Sequence, residues 1–133
     1  MESLIYMITP TAASVAANGV LPLTTIARRL GRAITNGSNS VVLNVPGYYE
    51  INVTETFTAP AAGTVTLKLQ RGSEDIPGAT ASTTITTATT EVRSLSYSTI
   101  VRVLPFGPVT ITALNSGVAI NISNIGLTVK YLG

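Results

Sequence analysis

The carboxylates of this chain, the side chains best suited to acid–base work, are six: Glu2, Glu50, Glu55, Glu74, Asp75 and Glu91. No histidine and no cysteine accompanies them. Without imidazole the commonest general base, the usual nucleophile triads and the histidine metal sites are all missing. Without thiols there is no disulfide framework, thiolate metal site or cysteine nucleophile. Two carboxylates facing each other across a cleft could hydrolyse a glycosidic bond. Glu50 and Glu55 cannot do so, because their opposite parity in one extended segment points them to opposite faces. Glu74-Asp75 could ligate a hard cation, and a solvated turn accounts for the pair equally well. No phosphate-binding loop, GxGxxG or GxSxG motif occurs. These residues predict no catalytic group, no cofactor and no metal. Glu55 is the odd one, a charge on the apolar face of its strand, and a structural ion pair with an arginine such as Arg93 or Arg102 is the expectation.

The charge balance narrows the partners. Lys and Arg total 8 against 6 acids, a net +2. The one basic cluster, Arg28, Arg29 and Arg32, is too small for a nucleic-acid surface. Charged residues make up 11% of the chain, well under the usual share of about 25%. A coat this poorly charged suits a protein whose surface is covered by copies of itself or by a larger particle. No segment approaches the roughly 20 apolar residues of a membrane-spanning helix. Glu2 stands where a signal peptide would be basic, and the apolar run from Leu4 to Ile8 is too short for its core. The expectation is a chain made in a host cytoplasm, with no signal peptide and no membrane insertion.

The elements that must carry these residues are strands. Thr, Val and Ile, all β-branched, dominate the composition along with Ala. Tyr49, Ile51, Val53 and Phe57 alternate with Tyr48, Glu50, Asn52, Thr54, Thr56 and Thr58. After a Pro60-Ala61-Ala62-Gly63 turn, Val65, Leu67 and Leu69 alternate with Thr64, Thr66, Lys68 and Gln70. Such alternation marks antiparallel strands with one face on a core. Asn36-Gly37-Ser38-Asn39 signals a hairpin. Arg71 to Gly78 reads as a polar loop, and Ala79 to Thr90 as an edge strand. Glu91 to Leu104 is the longest strand candidate, with Arg93, Leu95, Tyr97, Thr99, Val101 and Val103 on one face. The apolar parity switches near Ser123-Asn124, which predicts a bulge. Eight to ten short strands with turn signals and no convincing helix describe an all-β, two-sheet antiparallel jelly-roll sandwich. An immunoglobulin-like sandwich is the runner-up, without the usual Cys and Trp. Residues 1–20 read as an N-terminal arm or first strand and a candidate attachment segment, and 21–133 as the jelly-roll domain.

Several short pieces in a fixed order carry a resemblance. They are Ala17-Asn18-Gly19, Leu21-Pro22-Leu23, Arg28-Arg29 with Gly31, Gly47-Tyr48-Tyr49, Ala59 to Thr66 (APAAGTVT), Ile76 to Ser82 (IPGATAS) and Val101-Arg102-Val103. Together they resemble the complement globular-head and tumour-necrosis-factor-like jelly rolls, in their bacterial and bacteriophage versions. The resemblance implies a homotrimer in which one sheet of each subunit faces the three-fold axis. Tyr48, Tyr49, Glu50, Asn52, Tyr97 and Tyr131 are then the interface candidates. The candidate ligand residues lie in loops: Asn36, Ser38, Arg71, Glu74, Asp75 and Phe106. Unlike many relatives, the chain has no collagen-like stem and no Cys pair after the Val-Arg-Val strand.

These readings together predict a non-enzymatic virion structural protein, a trimeric decoration or head-fibre protein on a bacteriophage capsid. The alternative is a receptor- or carbohydrate-binding head of a phage tail fibre or bacterial surface protein. The expected partners are other copies of the chain, capsid or tail proteins and a cell-surface glycan, at the virion surface.

Overall fold

The computed structural model describes residues 2–133 and contains twelve strands and no helix. They are β1 (Leu4–Thr9), β2 (Ala13–Val15), β3 (Gly19–Val20), β4 (Thr25–Leu30), β5 (Ile34–Gly37) and β6 (Ser40–Leu43). β7 (Gly47–Thr58), β8 (Gly63–Arg71), β9 (Glu74–Ile85), β10 (Arg93–Val103), β11 (Val109–Asn115) and β12 (Ile120–Tyr131) follow. Two six-stranded sheets result, ordered β10-β7-β12-β1-β4 with β2 added on β12, and β5-β6-β11-β8-β9 with β3 added on β11. Every pairing is antiparallel. This is the expected jelly-roll sandwich. The strand count exceeds eight to ten partly because β2 and β3 are three- and two-residue additions with no periodicity of their own.

Alternation does what the sequence suggested. Tyr49, Ile51, Val53 and Phe57 of β7 are buried, as are Val65, Leu67 and Leu69 of β8 and Ile125, Leu127 and Val129 of β12. The predicted bulge is at Ser123: Ile122 pairs with Phe57 and Asn124 with Thr56, leaving one extra residue on β12. That extra residue restores the inward parity of the apolar side chains beyond it.

Two local expectations change. The polar segment 71–78 is no loop: Arg71 and Glu74 face each other across a two-residue Gly72-Ser73 turn, and β9 starts at once. The register slips around Pro77-Gly78, where Gly78 takes φ +82°. Proline is tolerated because β9 is an edge strand and owes no ladder bond on its free side. The Asn36–Asn39 hairpin forms, but its turn residues are Ser38 and Asn39, with Asn39 at φ 51°. Residues 4–20 supply the first three strands: β1 lies between β12 and β4, and β2 and β3 each pair with a different sheet.

The strands run between two ends of the sandwich. One carries the Leu104–Pro108 loop, the Gly72-Ser73 turn and the contact of Gly133 with Tyr48. The other carries the Ser38-Asn39 turn, the Ala59–Ala62 loop and the Thr86–Val92 segment. Among the described residues no helix is long and apolar enough to cross a membrane.

Candidate assembly face and surface cleft

The Gly47-Tyr48-Tyr49 motif distributes three jobs over three residues. A Cβ on Gly47 would stand 2.8 Å from the Tyr131 ring, so the close approach of that ring requires glycine, whose φ is +141°. Tyr49 points inward and is fully buried. Its hydroxyl donates to the Val45 carbonyl at 2.6 Å and accepts from the Val45 amide at 3.2 Å. Burial pushes the Tyr49 phenol up from its ordinary value. Tyr48 points outward, 46% exposed, with the Arg102 guanidinium 5.8 Å from its ring centre.

The six interface candidates therefore divide. Tyr48, Glu50 and Asn52 share the outer face of the β7 sheet, and the Asn52 amide donates to the Glu50 carboxylate at 2.9 Å. Tyr49 is fully buried inside the protomer, and Tyr97 is 8% exposed. Tyr131 has the inward parity of Val129, packs its ring against Tyr49 at a 55° tilt with ring centres 5.0 Å apart, and donates to the Pro46 carbonyl at 3.0 Å. Tyrosine alternates between core and surface roles, and a parity count alone assigns Tyr49 and Tyr97 inward.

The outer face has features that the sequence reading did not single out. Ile100, 62% exposed, projects from β10 among Ser94, Ser96 and Ser98, and pairs across the strand with Glu50. At the far edge of the same face Tyr6 of β1 and Leu30 of β4 are exposed, with Arg28 opposite Tyr6. An isolated Ile in an outward run of Ser is a readable signal, since nothing in the protomer covers it.

The ligand-loop candidates separate to opposite ends. Asn36 and Ser38 are exposed at the hairpin end. Phe106, 89% exposed, tips the loop at the other end. Arg71, Glu74 and Asp75 come together in a cleft of about 280 Å³ between the start of β9 and the end of β10, with Ile76, Pro77 and residues 99–102 completing the wall. Arg71 donates to the Arg102 carbonyl at 2.9 Å across that gap. Asp75 is engaged by Gln70 and Lys68, each at 2.9 Å, and these donors hold its carboxyl below its ordinary value. No group of three or more His, Cys, Asp or Glu among the described residues could hold a metal ion.

Glu55 overturns the expected ion pair. It is fully buried, and its partner is the Tyr97 hydroxyl, which donates to Oε1 at 2.7 Å. Oε2 has no partner. Arg93 instead reaches Glu91 at 3.1 Å, and Arg102 lies on the opposite face of β10. Burial pushes the Glu55 carboxyl up to about 8, opposed by the Tyr97 bond. Burial and the neighbouring carboxylate push the Tyr97 phenol up as well.

The whole sandwich can be compared with solved structures. PRD1 vertex protein P5 superposes with a TM-score of 0.63 at 18% identity, over 98% of this chain and 97% of that one. The globular domain of the zebrafish complement 1qA protein gives 0.65 at 8% identity, over 98% and 96%. Murine APRIL gives 0.67 at 10% identity, over 99% and 100%. The fold is the complement-head and tumour-necrosis-factor-like jelly roll. At these identities the likeness is one of fold, and it spans each jelly roll from end to end. No protein-family model matches the sequence, and no curated protein matches it.

Proposed function

We propose that this jelly roll is a non-enzymatic structural protein of a bacteriophage particle, assembled as a homotrimer and serving as a decoration or head-fibre protein at the virion surface. The observation that carries the reading is the outer face of the β7 sheet. It bears one exposed apolar corner, Tyr48 and Ile100, and a second at the opposite edge, Tyr6 and Leu30. Two unlike patches at opposite edges of one face suit head-to-tail contact, which closes into a ring when the rotation permits. The low charge of the chain agrees with a surface covered in assembly. The likeness to a protein named for a phage vertex supports the setting. A rigid trimer presents three equal sites at once, so weak single contacts with a capsid lattice add up by avidity.

Light scattering of the purified protein tests the assembly: three 13.8 kDa chains per particle are expected, and a monomer at micromolar concentration sinks the reading. Imaging virions with and without the gene tests the location: loss of a surface feature from the head supports decoration.

The second reading, a receptor- or glycan-binding head, is favoured by the cleft between β9 and β10, where Arg71 and Glu74 present polar groups beside Ile76 and Pro77. Glycan-array binding that Arg71→Ala abolishes would favour it over decoration.

A further inference from the structure

The core of this sandwich is apolar with one charged exception. Glu55 is the sole acid or base among the buried residues described; the other buried polar side chains, Ser3, Thr9, Ser40 and Asn115, are neutral. Position 55 lies on β7, beside an edge of the sheet. β10 is an edge strand whose only sheet partner is β7. Outside the sandwich the two strands are joined by neutral hydroxyl contacts, Thr54 with Ser96 at 3.3 Å and Thr56 with Ser94 at 2.9 Å. Inside it, the polar link is the bond from Tyr97 to Glu55. On the other flank of β7, the Ser123 bulge interrupts the ladder just beyond the Ile125–Glu55 pair.

We propose that Glu55 and Tyr97 form a proton-operated latch on β10, in which the neutral carboxyl seats the strand and the carboxylate loosens it. The charged form has one neutral donor and a bare second oxygen in a dry core, the arrangement that a buried charge tolerates least. No counter-charge is at hand. The charged side chains of inward parity on the facing strands, Arg71 of β8 and Glu74 of β9, lie in the cleft beside residues 99–102 and not beside Glu55, which pairs with Leu95. The remaining inward side chains of β1, β8, β9, β11 and β12 are apolar or neutral. On β10 itself the only titratable inward group besides exposed Arg93 is Tyr97, and Arg93 is turned to Glu91. When the proton leaves, water must reach Oε2, and the shortest rearrangement is to lift the Leu95–Tyr97 part of β10, the strand with one sheet partner, away from its Arg71-tied end. The shifted carboxyl described above agrees in direction and places the change in the mildly alkaline range. The latch belongs to the protomer and does not depend on the trimer or on the virion setting.

The test is the stability of wild type and Glu55→Gln, a neutral carboxyl mimic, from pH 5 to 9.5. The sign follows from linkage. The folded form keeps a proton that the unfolded form gives up above its ordinary carboxyl range, so stability is lost as pH rises through the interval up to about 8. The wild-type folding constant, divided by that of Glu55→Gln, is expected to fall about tenfold per pH unit within that interval and to level off above it. Parallel profiles for the two proteins overturn the proposal. If Glu55→Gln fails to fold, the Glu55 side-chain carbonyl resonance of the wild type decides: a midpoint near 8 supports the latch, and one below 6 overturns it. Amide exchange, corrected for its intrinsic base catalysis, reads the strand. Protection of β10 should drop at least tenfold more than that of β8 between pH 7 and 9, and an equal change in both overturns the loosening of β10.

Discussion

The hydroxyl of Tyr49 closes on both backbone polar groups of Val45, donating to its carbonyl at 2.6 Å and accepting from its amide at 3.2 Å. This clamp fixes the short connection between β6 and β7, where Pro46 has no amide hydrogen to donate. Tyr49→Phe keeps the ring and its packing on Tyr131 but leaves two backbone groups without that partner. Loss of about 1–3 kcal/mol of unfolding free energy is expected, measured by denaturant titration with an unchanged slope. A loss below about 0.5 kcal/mol would show that water replaces the hydroxyl without penalty.

Tyr97→Phe probes the other buried phenol from the opposite side. The Tyr97 bond is the one influence that lowers the proton affinity of Glu55. Removing it raises the Glu55 midpoint above about 8, and it also strips the carboxyl of its only partner. Stability at pH 7 should fall by about 1–2 kcal/mol, while the Glu55 carbonyl resonance titrates at higher pH than in wild type. A midpoint that stays put or moves down would remove Tyr97 from the electrostatics of the site.

Much of the sandwich was legible because its signals are local. Period-2 runs such as Tyr49 to Phe57 state both a strand and its buried face, and a parity switch at Ser123 states a bulge. Contacts that depend on register between distant strands were not legible. The charge at Glu55 stood out, yet Arg93 looked the better partner by sign, and only the pairing of Leu95 with Glu55 brings Tyr97 alongside. Residues 74–78 read as loop because Glu, Asp, Pro and Gly disfavour strands on average. An edge strand pairs on one side only, so β9 accommodates them. Each ligand candidate reads by itself as part of a turn or loop, and chain order does not reveal that Ser38 and Phe106 lie at opposite ends.

Gly117 marks a contact where only a bare backbone fits. A Cβ there would stand 2.4 Å from the Thr64 carbonyl oxygen, 2.6 Å from the Thr66 nitrogen and 2.9 Å from the Val65 Cα, all of them backbone. No side chain can swing away, so the β11–β12 connection or β8 must shift. Gly117→Ala should destabilise by about 1–3 kcal/mol, as overpacking does, with a lowered melting temperature as the readout. An Ala at Gly117 that melts with wild type would mean the connection relaxes freely.

Ile100 should separate assembly from folding. Its side chain is 62% exposed on the outer face of β10, and its cross-strand neighbour is Glu50. An acid at this position gives up little protomer packing, so Ile100→Glu should change the unfolding free energy of an isolated protomer by no more than about 0.5 kcal/mol. In the proposed ring the same position would be a desolvated apolar contact, and the new carboxylate beside Glu50 would be buried near a like charge. The expected outcome is a fall in particle mass from three chains to one at micromolar concentration, with an unchanged far-ultraviolet spectrum. Phe106→Ser is the matched control: it removes a larger exposed apolar side chain from a loop at the end of the sandwich, away from this face, and the mass should stay that of three chains. If Phe106→Ser dissociates the particle and Ile100→Glu does not, the contact between copies lies at the end of the sandwich and not on the β7 sheet.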